Sequence, residues 1–169
     1  MVRKKQKHKK GFSLIEVMLA TFLVSAGLTA VMALLSVGIK GTSDSKDQVV
    51  GSFLAQEGVE LVRNIRDTNW LGGEESFMGL SNGDYKIDPE SSLSSTSDFG
   101  LNFYQNFYRH TGNGEETKFS RKIEIEGSDD QKIITSLVIW GDDFPESSKC
   151  NLSTKCAYSK ITLTKWKEE

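Results

Sequence analysis

Lys10-Gly11-Phe12-Ser13-Leu14-Ile15-Glu16-Val17-Met18-Leu19-Ala20-Thr21-Phe22-Leu23-Val24 opens the stretch on which the reading of this chain turns. Over residues 12–39, 20 of 28 residues are apolar and Glu16 is the single charge; residues 17–39 contain neither charge nor proline. About 20 mostly apolar residues suffice for a helix that crosses a bilayer. In front lie Arg3, Lys4, Lys5, Lys7, Lys9 and Lys10, with no acid among residues 1–11. Such a basic run stays on the cytoplasmic side, which places everything after Lys40 outside. A secretory signal has a shorter apolar core and a small-x-small cleavage site. Lys40-Gly41-Thr42-Ser43-Asp44 offers no such site. The apolar run is therefore expected to remain in the mature protein, on the plain reading as a signal anchor. Glu16 stands out. A carboxylate deep in a membrane helix costs up to roughly 2.5–3.5 kcal/mol, so it needs a partner unless it lies shallow enough to stay hydrated.

The net charge of −2 over 169 residues hides a division. Six cations precede Gly11, so 15 of the 21 Lys and Arg face all 23 Asp and Glu in the remainder, a balance of −8. Nucleic-acid binding through a basic surface needs clustered cations and is disfavoured for the bulk of the chain. Beyond the apolar run, Val50, Leu54, Leu61 and Ile65, with Phe53, Val59 and Val62 alongside, recur at helical spacing and predict an amphipathic helix to about residue 66. Gly41-Thr42-Ser43-Asp44 is a point where this long helix is expected to bend or break. Gly51 and Gly58 each cost roughly 1 kcal/mol relative to alanine in a helix interior, so packing must hold this half in place.

Residues 71–100 are rich in Gly, Ser, Asn and Asp. They read as loop, with a short strand at Tyr85-Lys86-Ile87. Strand alternation follows over 101–108, then at Phe119, Arg121, Ile123 and Ile125, over 133–140, and over 157–166. Turns at Thr111-Gly112-Asn113-Gly114 and Ser128-Asp129-Asp130 make this an antiparallel meander. The predicted class is α+β: a long N-terminal helix, membrane-spanning in its first half, packed on an antiparallel sheet. Tyr104, Phe107, Tyr108 and Trp140 are candidates to line a ligand site, although ring packing in the core or on the sheet is the simpler use.

Catalytic chemistry finds little material. His8 precedes the apolar run and His110 stands alone at a strand end, so no histidine pair can hold a metal and no metal site is expected. The carboxylates of Glu115-Glu116, Asp129-Asp130 and Asp142-Asp143 fall at expected turns, where solvation is their ordinary state and calcium the sharper alternative. Neither an EF-hand nor a phosphate loop is present. No cofactor and no enzymatic activity are expected. Cys150 and Cys156 lie in a loop outside the membrane; there a pair favours a disulfide, since a zinc half-site would need two further ligands.

The segment Gly11-Phe12-Ser13-Leu14-Ile15-Glu16-Val17, continued through Val24, resembles the processing site of type IV prepilins and type II secretion pseudopilins. The resemblance implies the pilin fold. It also implies cleavage between Gly11 and Phe12 by a membrane-embedded prepilin peptidase, N-methylation of Phe12, and Glu16 as the assembly residue that meets the amine of a neighbouring subunit. Residues 1–11 would be the leader, 12–39 the transmembrane and assembly helix, and 40–169 the periplasmic or extracellular head. Phe53-Leu54-Ala55-Gln56-Glu57-Gly58-Val59-Glu60-Leu61-Val62-Arg63-Asn64-Ile65-Arg66-Asp67 followed by Trp70 also resembles minor pilins of the PilV (pilus modification) type. The pair Cys150 and Cys156 resembles the C-terminal disulfide-bounded loop of many pilins, in a shorter form.

The expected function is thus that of a minor pilin, a subunit inserted into or priming a type IV pilus. Its partners would be prepilin peptidase, other pilin subunits, the assembly platform and the inner membrane. It would be single-pass with a cytoplasmic N-terminus before processing, and on the cell surface after assembly. A type II secretion minor pseudopilin, a membrane-anchored extracellular binding module and a DNA-uptake pilin are the alternatives, the last weakened by the −8 balance.

Overall fold

The computed structural model describes residues 11–112, 114–141, 144–145, 150 and 154–165. The basic run of residues 1–10, Asn113, the Asp142-Asp143 pair and Trp166 lie outside the described residues. One helix, α1 (Leu14–Leu71), is followed by seven strands: β1 (Gly83–Lys86), β2 (Ser94–Ser95), β3 (Gly100–Tyr104), β4 (Phe107–Arg109), β5 (Glu115–Gly127), β6 (Gln131–Ile139) and β7 (Cys156–Thr164). The chain divides into two compact units, Met1–Asp44 and Ser45–Glu169.

In the first unit every residue from 11 to 44 is exposed. Five hydroxyls along this stretch are satisfied by the helix itself. Thr21, Ser25 and Thr29 donate to carbonyls three residues back, at 2.9, 2.9 and 2.8 Å, and Ser36 and Thr42 to carbonyls four back, each at 3.0 Å. Such back-bonding hides hydroxyls that lipid could not hydrogen-bond. Residues 41–44, expected to bend or break the helix, are helical; Thr42 finds its acceptor within the helix, and Gly41 is permissive rather than disruptive.

The second unit has α1 packed on the antiparallel sheet. Its buried stripe is Gly51, Leu54, Ala55, Gly58, Val59, Val62 and Arg66, one helical face at three- and four-residue intervals. Phe53, read as part of that face, is exposed instead, and Leu61 and Ile65 only flank the core. The two glycines are contact points. A Cβ on Gly51 would lie 2.5 Å from a ring carbon of Trp140, and one on Gly58 would meet the Ser136 hydroxyl and lie 2.8 Å from Ile123 Cδ1. Their propensity cost is offset by a close approach of helix to sheet. The helix ends at Leu71 rather than near 66. Gly73 takes the left-handed conformation (φ 75°), Glu74 N–H donates to Asn69 O at 2.9 Å, and Gly73 N–H donates to Trp70 O at 3.1 Å. This is a Schellman cap.

Strand β5 is the spine of the sheet. β6 pairs with one edge of it along residues 120–127, and β7 pairs with β6, so β5, β6 and β7 are consecutive antiparallel neighbours. The β1–β2 and β3–β4 hairpins both join the other edge of β5. Alternation over 101–108, expected to form one strand, is interrupted: Gln105 (φ 49°) and Asn106 (φ 68°) both adopt left-handed backbone and turn β3 into β4. A two-residue turn of this hand matches the twist of its flanking strands. Glu115-Glu116, expected at a turn, open β5 and pair with Phe103 and Asn102.

Phe119, Ile123 and Ile125 of β5, Ile134 and Val138 of β6, and Ala157 and Leu163 of β7 form the face under the helix. β6 is covered on its other face as well, where Leu137 and Ile139 pack with Cys156, Phe144 and Cys150.

Candidate functional site

Gly11, Phe12 and Ser13 precede α1 in non-helical backbone. A Cβ at Gly11 would meet nothing within 4 Å, and Phe12 is 82% exposed. The Gly11–Phe12 peptide thus lies in exposed, non-helical backbone of the kind a protease can take up. Ser13 begins the helix, its carbonyl accepting the N–H groups of Glu16 at 3.0 Å and Val17 at 3.2 Å. Glu16 therefore lies in the first turn, where the helix dipole favours a carboxylate and disfavours a cation. Its side chain is exposed, in a stretch that presents Leu14, Ile15, Val17, Met18, Leu19 and Phe22 to the surroundings. A single anion on the exposed, otherwise apolar stretch of residues 12–39 is what the geometry here offers to a second molecule.

The head carries two buried polar arrangements. Arg121 points inward from β5 at 0% exposure, its guanidinium donating to Glu57 Oε2 at 2.7 Å and to Ile87 O at 2.8 Å. The alternation Phe119-Arg121-Ile123 put Arg121 on the core face, a signal from which a buried ion pair could have been read. Asp88 is buried at the end of the β1 segment. It accepts from His110 N–H (2.8 Å), Thr111 N–H (3.1 Å) and the Thr111 hydroxyl (2.7 Å). His110 Nδ1 lies 3.1 Å from Gly100 O, and its Nε2 has no hydrogen-bond partner among the described residues. Lone in the sequence, His110 turns out to be part of a structural polar cluster.

The aromatic candidates separate. Trp140 is core, Tyr108 joins Phe103 and Phe119 edge-on at 5.2 and 5.8 Å, and Phe107 stays 55% exposed beneath the Arg109 guanidinium. Cys150 and Cys156 are joined in a disulfide with Cα atoms 5.5 Å apart. Asp129-Asp130 and Glu115-Glu116 are exposed, and no group of three or more potential metal ligands gathers among the described residues.

Burial lowers the pKa of His110, and the Arg121 charge lowers it further; against the opposing pull of Asp88 it falls to about 4. Burial would raise Asp88, but the His110 and Thr111 donors bring it below its ordinary value. Between pH 6.5 and about 4 the unfolded chain protonates its histidine while the folded chain does not, so stability is lost as pH falls through that window. Asp88 removes more below it, as its stabilising charge is titrated. Acid melts of the full chain in detergent should show a slope from His110 worth about 2–3 kcal/mol. His110→Gln should flatten the pH 4–6.5 segment, and a wild-type profile flat over that window would contradict the assignment.

Residues 6–32 match the prokaryotic N-terminal methylation motif family, a match confined to the segment around Gly11, Phe12 and Glu16. No curated protein and no solved structure matches the chain. The motif marks a type IV prepilin-like protein, of pilin or pseudopilin kind, and with the apolar helix beside it is consistent with membrane anchoring.

Proposed function

We propose that this prepilin-like chain is a minor pilin: cut between Gly11 and Phe12 by prepilin peptidase, methylated on Phe12, held in the inner membrane by residues 12–39, and drawn into a type IV pilus through Glu16. The observation that carries the reading is the conjunction of the matched motif with one carboxylate in the first turn of an exposed apolar helix. The cut would create an ammonium two residues before the helix, at the end where the dipole disfavours it. In a low-dielectric setting an acidic partner for that ammonium is strongly favoured, and Glu16 supplies one for a neighbouring copy. The narrower PilV-type assignment is supported by the 53–67 segment and Trp70, which lies in the last turn of α1. In this role the chain builds a fibre and catalyses nothing. The same motif serves type II secretion pseudopilins, and a filament or secretion defect on deletion separates the two.

Intact mass and N-terminal sequencing of the native protein test the processing. The expected product begins at methylated Phe12. Gly11→Trp is expected to leave essentially all of the protein uncut in the membrane, because a bulky residue now occupies the side of the bond where glycine presents nothing. A native N-terminus at Met1, or one beyond Ile39, would overturn the proposal.

A further inference from the structure

A cavity of about 200 Å³ opens where the loop after α1 lies against the turn between β5 and β6 and the end of β7. Its deepest lining residues are Leu80 and Lys132, 1% and 6% exposed, with Phe77 and Ser81 beside them. Glu75, Asp129 and Lys165 are its exposed charges. The Lys132 ammonium donates to Asn82 Oδ1 at 2.9 Å, and Asn82 is oriented for this by donating its own amide to Gly127 O at 3.0 Å. Among the described residues Lys132 has no ion pair. An ammonium on a buried lysine whose partner among the described residues is a neutral amide is poorly compensated by them, and this one lines an open cavity.

The surroundings narrow the anion that would compensate it. Glu75 and Asp129 repel a multiply charged oxyanion such as sulfate or phosphate, but they accept hydrogen bonds from hydroxyl groups. Lys165 is already engaged at long range, 3.9 Å from Glu75. Phe77 supplies an apolar surface for the C–H face of a ring. The volume is below the roughly 300 Å³ at which drug-sized pockets begin, so a single ring fits and a chain does not.

We infer that this cavity binds a small hydroxylated monocarboxylate, a sugar acid of one ring, with its carboxylate on Lys132 and its hydroxyls toward Ser81, Glu75 and Asp129. The inference is independent of how the N-terminus is processed. The test is an amide chemical-shift titration of the full chain in detergent micelles with glucuronate, against glucose and sulfate. Saturable shifts confined to residues 75–82 and 127–132 are expected with glucuronate. Binding should be roughly ten times weaker with glucose, which lacks the charge. Lys132→Met should abolish the shifts. Because that change could disturb β6, Asp129→Asn at the exposed edge is the second variant; it should strengthen sulfate binding while weakening glucuronate. No shift at millimolar glucuronate, equal binding of glucose, or tighter binding of sulfate by the unaltered protein would each overturn the inference, as would a folded Lys132→Met that still binds.

Discussion

Glu16→Ala protein should accumulate in the membrane, cut before Phe12, and be missing from the sheared filament fraction. Glu16 belongs to the first unit and the head to the second, and the side chain is exposed with no described partner in its own chain, so folding of the head has no dependence on it. Removing a charge from an apolar helix eases insertion slightly. Assembly differs: on the proposed pairing, the Phe12 ammonium of a neighbouring copy would lose its counter-charge in a dry site, at a cost of about 3–5 kcal/mol. That corresponds to a filament fraction reduced by at least roughly a hundredfold. Immunoblots of membrane and sheared fractions decide the matter. Equal recovery in filaments would show that Glu16 is only a hydrated carboxylate at a helix start.

Gly58→Val should cost the head about 3 kcal/mol or more, the largest loss expected from a single substitution there. The Cβ alone would collide with the Ser136 hydroxyl and sit 2.8 Å from Ile123 Cδ1, and valine adds two methyl groups to a site with no room. Overpacking of a tight core costs about 1–3 kcal/mol, occasionally more, for added methylenes, and the roughly 0.3–0.5 kcal/mol that helix propensity returns on exchanging glycine for valine does not offset it. Ser136→Gly in the same chain should recover part of the loss, since Ser136 Oγ has no hydrogen-bond partner among the described residues to forfeit. Gly38→Ala is the control: nothing lies within 4 Å of its Cβ position, and the head's melting temperature should not move. Thermal melts of the three variants in one detergent make the comparison. A Gly58→Val protein as stable as wild type would mean that the helix does not approach the sheet this closely.

These two residues mark what was legible in the sequence. The place of Glu16 in the first turn of an apolar helix could be read from sequence because its signal is local: one charge at a fixed distance from Gly11-Phe12, in a run with no other. The apolar helix and the strand over Phe119 to Ile125 were legible for the same reason, as periodicity is written in neighbouring residues. Gly58 was not. A hydropathy pattern registers glycine only as a propensity cost, whereas its role is set by Ser136 and Ile123, which lie far along the chain. The hairpin at Gln105-Asn106 was missed because aromatic alternation on both sides of the turn outweighs a turn pair without glycine. Asp88 with His110, Glu57 with Arg121, and Lys132 with Asn82 are pairings across elements, and only the inward phase of Arg121 hinted at any of them. The end of α1 was misplaced by about five residues because Trp70 and Leu71 continue the helix to the Gly72-Gly73 stop.

The inward stripe of α1 also fixes an order of events during biosynthesis. Val59 and Val62 emerge from the ribosome before any strand exists, whereas Ile123, Ile134 and Leu163, which pack with them in one cluster, follow by about 60 to 100 residues. At about 5–20 residues per second, translation leaves that stripe without its cover for several seconds to tens of seconds. Contacts of such long sequence separation also form slowly once the chain is free. A nascent chain of this design therefore carries its apolar N-terminal helix and a second sticky surface well ahead of the sheet that shields the latter. Under the proposed membrane anchoring, its yield in the cell would be set by how quickly the first is inserted and how well the second is chaperoned across.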